Sequence, residues 1–145
     1  MTTDRFARHN LNILVVEDDI GHSELILRTF HQELPDANVV VTRTVRDALR
    51  SVAEATPDIA IVDFLLPDGR GVELLPAKAE RVRYPIIILT AHGDAREAVD
   101  SLKAGALNYV VKSETVFPNI VNIVDMALRE WQQRQESLHT EGALR

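Results

Sequence analysis

The sequence predicts an α/β protein, a five-stranded parallel sheet flanked by helices on both faces. Three observations lead there. The runs LNILVV (11–16), IAIV (59–62), YPIIIL (84–89) and LNYVV (107–111) are nearly unbroken apolar stretches, as strands covered on both faces must be. Segments with apolar residues at helical spacing alternate with them, the pattern of βαβ units. Each run also delivers polar residues at its C-terminal end: Glu17, Asp18 and Asp19, then Asp63, Thr90 and Lys112. Ligands of open α/β sheets bind outside the carboxyl ends of the strands. Acids, a hydroxyl and an ammonium should therefore converge on one edge.

The elements follow in order. Residues 11–16 form the first strand. Ile20, Leu25, Ile26, Leu27, Phe30 and Leu34 give residues 20–34 a helical period, and Pro35 ends it. Residues 38–42 (NVVVT) are the second strand. Val45, Ala48, Leu49, Val52 and Ala53 define the second helix, with Thr44 as its N-cap. Residues 58–62 are the third strand, followed by LLPDGRG, turn chemistry with Pro67, Gly69 and Gly71. A third helix is expected from Val72 to Arg81, the fourth strand over 85–89, the fourth helix over 94–104 and the fifth strand over 107–111. The last helix, from 117 onward, carries Ile120, Ile123, Val124, Ala127, Leu128 and Trp131 on one stripe. Past Trp131 the chain turns polar, a frayed end or the start of a helical linker. The expected organisation is a polar tail over 1–10, one domain over 11–131 and a C-terminal tail over 132–145.

Composition narrows the class. The chain has 145 residues, 46% hydrophobic and 26% charged, enough for one domain with a sizeable core. No apolar stretch is long enough to span a bilayer, and no signal peptide is expected from MTTDRFARHN. Without cysteine there is neither a disulfide framework nor a thiolate metal site, which fits a cytoplasmic protein. A net charge of -6 argues against direct nucleic-acid binding.

The site residues suggest a chemistry. Glu17, Asp18 and Asp63 crowd three carboxylates together, and such groups repel one another unless a cation intervenes. A small cluster of hard oxygen ligands suits Mg²⁺. Lys112 offers a point charge and Thr90 a hydroxyl to phosphate oxygens. A carboxylate can itself attack phosphorus to give an aspartyl phosphate, and Asp63, at the end of the central strand, is the candidate.

In ILVVEDD (13–19), IVDFLLPDGRGVELL (61–75), PIIILTAHG (85–93) and GALNYVVKS (105–113) the chain resembles the receiver domain of two-component response regulators. Pro67 lies four residues after Asp63 and Gly71 eight after it, as the family pattern asks. The resemblance covers about residues 11–131 and implies a flavodoxin-like sheet of strand order 2-1-3-4-5. It implies Asp63 as phosphoacceptor, Asp18 and Asp63 as Mg²⁺ ligands with the backbone carbonyl of Leu65, and Glu17 acting through water. It makes Thr90 and Tyr109 the switch pair and Lys112 the phosphate contact. The phosphoryl donor would be a histidine kinase or phosphotransfer protein. The responding surface would be the fourth helix, fifth strand and fifth helix, also a possible homodimer face. Such a receiver promotes its own phosphotransfer without being a turnover enzyme.

Two departures stand out. Ser113 occupies a place where the family usually has proline, often after a cis bond, so the loop is either rearranged or strained. Leu65, two residues after Asp63, cannot position an attacking water, which implies slow loss of the phosphoryl group. His92 is a second candidate modulator of that loss, although a surface histidine is the plainer reading. Asp19 reads better as a helix N-cap than as a ligand. Tyr109 could be a half-buried core aromatic, and His9, His22, His31 and His139 show no ligand spacing. The competing functions are an aspartyl-nucleophile phosphohydrolase, which usually has a second acid where this chain has Leu65, and a binding module that needs no phosphorylation.

Overall fold

The computed structural model describes residues 10–143. All but Asn10 of the expected N-terminal tail, and Leu144 and Arg145 of the C-terminal one, lie outside them. The chain runs β1 (Asn12–Val16), α1 (Ile20–Glu33), β2 (Asn38–Thr42), α2 (Val45–Glu54), β3 (Ile59–Asp63), β4 (Ile86–Thr90), α3 (Ala95–Ala104), β5 (Asn108–Val111) and α4 (Ile120–Ala143). All five strands are parallel, in the order β2-β1-β3-β4-β5. That is the expected order. Among the described residues no helix is long and apolar enough to cross a membrane.

The unbroken apolar runs are explained by two cores. Successive strand residues point to opposite faces. Ile13, Val15, Ile59, Ile61, Ile87 and Leu89 therefore pack with Ile26 and Phe30 of α1 and with Ile120, Val124 and Leu128 of α4. Leu14, Val16, Ala60, Val62, Ile86 and Ile88 face the other way, against Val45 and Ala48 of α2 and against Leu74 and Tyr84. Along Ile13–Val16, Ile59–Val62 and Ile86–Leu89 of the three central strands neither face meets water, so both sets of alternating positions are apolar; the edge strands β2 and β5 are partly exposed, at Asn38, Val40, Asn108 and Val111.

The expected third helix does not form. Its residues make two short 3-10 turns, Gly71–Leu74 and Ala79–Arg81, on either side of Pro76. Proline has no N–H to donate back to Val72, and its ring disfavours a helical conformation at the residue before it. Leu75 accordingly takes extended angles, φ -79 and ψ 144. A small antiparallel hairpin, Leu65–Leu66 with Gly69–Arg70, precedes these turns.

The remaining ends obey local rules. Asp19 and Thr44 cap α1 and α2, accepting from the backbone N–H of His22 and Asp47. Gly105 ends α3 at φ 116, a left-handed conformation that glycine adopts without penalty. The last helix starts at Ile120 rather than 117, because Val116–Pro118 are occupied by turns. It continues past Trp131 to Ala143, with surface pairs such as Arg134 to Glu130 at 2.6 Å along its exposed stretch.

Candidate functional site

Strand register brings the carboxylates together. Val16 of β1 lies opposite Val62 of β3, so the residues that follow, Glu17 and Asp63, leave the sheet side by side. The Glu17 N–H continues the ladder by donating to the Thr42 carbonyl at 2.9 Å. Asp18 is next in the chain, and oxygens of Glu17, Asp18 and Asp63 all lie within 4.8 Å of one another. Glu17 is buried, Asp63 half-buried and Asp18 exposed.

Lys112 completes the cluster from two strands away. Its backbone N–H donates to the Thr90 carbonyl at 2.7 Å, which anchors the end of β5 to the end of β4. Neighbouring strands are about 4.8 Å apart, and the long lysine stem crosses the end of β4 to reach β3. The ammonium lies 2.6 Å from Glu17 Oε1 and 3.0 Å from Asp63 Oδ2. Its third contact, 3.1 Å, is to His22 Nδ1 on the first turn of α1.

Burial dominates the electrostatics. Loss of water pushes the Glu17 carboxyl up to about 7, although the Lys112 ammonium and the Asp19 N–H both pull it down. Lys112 is opposed by the same burial, yet its two carboxylate partners hold its pKa above the ordinary lysine value. Three carboxylates against one ammonium leave the cluster short of positive charge. A compact set of hard oxygens with unbalanced negative charge fits a divalent cation such as Mg²⁺.

Other expected residues fall around this centre. Thr90 is buried at the end of β4. Tyr109, on β5, donates from its hydroxyl to Glu97 Oε1 at 2.9 Å and accepts from the Asp94 N–H at 3.3 Å, which ties it to the start of α3. Burial, and then the Glu97 carboxylate, raise its phenol pKa. The Leu65 side chain is 63% exposed in the hairpin, and His92 is exposed in the bend after β4. Neither side chain is drawn into the Lys112 cluster. Ser113 forms an ordinary turn: every described peptide bond is trans, and its hydroxyl accepts from the Val116 N–H at 3.3 Å. The Lys112–Ser113 bond is thus trans.

Gly71 explains the spacing after Asp63. A Cβ at this position would collide with the Asp63 carbonyl oxygen and the Val62 side chain. Its N–H donates to the Phe64 carbonyl at 2.8 Å, closing the loop tightly behind Asp63.

Three residues escaped the sequence reading. His22 sits three residues past the N-cap Asp19, and its partner Lys112 lies 90 residues away in the chain. Asp68 reaches across the chain to accept from the Val45 and Arg46 N–H groups at 2.8 and 3.0 Å. Glu97 holds Tyr109. Beside Lys112 a cavity of about 630 Å³ opens between α1 and the start of α4, lined by His22, Leu25, Ala91, Phe117 and Pro118 among others.

Comparisons with known proteins agree with this geometry. The response regulator receiver domain family matches residues 13–125. Methanogenesis regulatory protein FilR1 of Methanothrix harundinacea (strain 6Ac) is 39% identical over 127 residues, 84% of this chain and 28% of that protein. The chain thus spans little more than a quarter of that relative. Among solved structures, a CheY-like response regulator receiver domain protein from Methanospirillum hungatei JF-1 superposes with a TM-score of 0.75 at 26% identity, covering 87% of this chain and 99% of that one. The BeF3-activated DrrB receiver domain gives a TM-score of 0.68 at 26% identity, covering 84% and 99%.

Proposed function

The chain belongs to the response regulator receiver domain family, and from that premise we propose that it is a signalling switch that takes a phosphoryl group onto Asp63. The observation that carries this reading is the juxtaposition of Asp63 with Glu17, Asp18 and Lys112 at the carboxyl ends of the strands. The donor is a histidine kinase or phosphotransfer protein. An Asp63 carboxylate oxygen forms a bond to phosphorus while the phosphorus–nitrogen bond of the donor's phosphohistidine breaks, its electron pair returning to the imidazole. Lys112 stabilises the charge on the transferred group from a buried position.

The acidic set fits Mg²⁺. Asp18, Asp63 and the Leu65 carbonyl would hold it directly and Glu17 through water, and it would supply positive charge to the carboxylates and the phosphoryl oxygens. The DrrB receiver, similar in fold, is named as BeF3-activated, which supports the reading of this chain as a switch.

The response begins at Thr90, whose hydroxyl moves toward the phosphoryl oxygens. Tyr109 then leaves Glu97 and Asp94 and turns inward. This reshapes the surface of α3, β5 and α4, where Val99, Leu102 and Val111 are exposed apolar side chains. That surface meets a protein partner, a downstream domain or a second copy. Residues 11–131 form the receiver, and the end of α4 is a helical linker. The Leu65 side chain offers no polar atom to an attacking water, so the phosphoryl group is lost slowly and no phosphate ester is turned over.

The test is intact mass after incubation with acetyl phosphate and Mg²⁺. One added phosphoryl group is expected in the wild type and none in Asp63→Asn. An adduct that persists in the variant, or none in the wild type, overturns the assignment.

A further inference from the structure

We propose that His22 is a positioning residue for phosphoryl transfer, the neutral acceptor that fixes the Lys112 ammonium beside Asp63. This rests on the reading of Asp63 as phosphoacceptor. A lysine ammonium has three N–H donors and no acceptor. In Lys112 they meet Glu17 Oε1 at 2.6 Å, Asp63 Oδ2 at 3.0 Å and His22 Nδ1 at 3.1 Å. Because lysine can only donate, His22 Nδ1 accepts through its lone pair and the ring proton sits on Nε2.

Both the backbone and the ring of His22 are held. The His22 backbone N–H donates to Asp19 Oδ1 at 2.9 Å in the N-cap of α1, which fixes the turn that carries the ring. Its ring packs on Phe117, in the turns before α4, with centroids 5.2 Å apart and planes at 33°. The two chain segments that flank the cavity thus aim one nitrogen at one ammonium. Glu17 Oε1 and Asp19 Oδ1 also face His22 Nδ1, each at 3.9 Å, beyond hydrogen-bond reach.

The acceptor's chemistry matters. Lys112 is 6% exposed, so a third donor without a partner would be costly. Another carboxylate in the place of His22 would satisfy that donor but would also cancel charge the phosphoryl group needs. A neutral nitrogen restrains the long side chain and leaves its charge available. When phosphorus bonds to Asp63, the ammonium must serve phosphoryl oxygens instead of a carboxylate oxygen. His22 keeps it within reach while that exchange occurs.

Asparagine and leucine separate hydrogen bonding from bulk. Asn Oδ1 and His Nδ1 lie the same number of bonds from Cα, so His22→Asn keeps an acceptor and His22→Leu removes it. The measurement is the rate of adduct formation by the full chain, over a range of acetyl phosphate concentrations at saturating Mg²⁺. His22→Leu is expected to lower the maximal rate roughly tenfold with the half-saturating donor concentration little changed, and His22→Asn to restore it to within about twofold. The Lys112 ammonium signal in nitrogen NMR should broaden in the leucine variant and stay sharp in the asparagine variant. Wild-type rates in His22→Leu, or equal losses in both variants, overturn the proposal. No adduct in the wild type is a different result, and it overturns the reading of Asp63 on which this one rests.

Discussion

Glu17 is 2% exposed, and the loss of water around its carboxylate outweighs what Lys112 and the Asp19 N–H return. Its pKa therefore rises from the ordinary 4.5 to about 7 in the folded protein. Between those values the unfolded chain has released a proton that the folded state retains, so stability falls as pH rises through that range. In chelator-treated protein, urea unfolding from pH 4.5 to 7 should show this decline, and Glu17→Gln should flatten it. An undiminished slope in the variant would assign the effect elsewhere. Glu17, Asp18, Asp63 and Lys112 were legible in the chain because each follows an apolar strand, and parallel strands end on one edge. His22 was not, since its partner lies 90 residues away on an element that meets α1 only after folding.

At the scale of elements, local chemistry decided starts and stops. Thr44 capped α2 as its position suggested, but Asp68 adds a second cap from a loop beyond β3. The Arg46 and Val45 N–H groups hold its carboxyl below the ordinary 3.8. That support is present above 3.8 and disappears as pH falls through the lower folded-state value. Asp68→Ala should reduce the urea midpoint at neutral pH and speed amide exchange at Val45 and Arg46, while leaving the α1 cap unaffected. Unchanged exchange there would show that Thr44 suffices. The missing third helix was also legible in principle, because Pro76 and the extended Leu75 before it forbid a continuous helix. Periodicity alone concealed it.

For the molecule as a whole, stability comes from the two apolar layers on either side of the sheet. Phe30 is 0% exposed and joins α1 to the layer that α4 also covers. Phe30→Ala should cost about 3–5 kcal/mol, seen as a lower midpoint in one cooperative denaturant transition. A loss under about 1 kcal/mol would mean that the layer collapses around the cavity. By itself the sequence determined the fold class, the strand order through its resemblance, and the four charged residues at the strand ends. Those follow from hydrophobic period and chain direction, which are properties of short segments. Only the tertiary structure decided that Lys112 has a third partner in His22, that Asp68 caps a distant helix, that Tyr109 is tied to Glu97, and that the Lys112–Ser113 bond is trans. Each of these depends on the distance between atoms far apart in sequence or on a backbone conformation, and packing sets both.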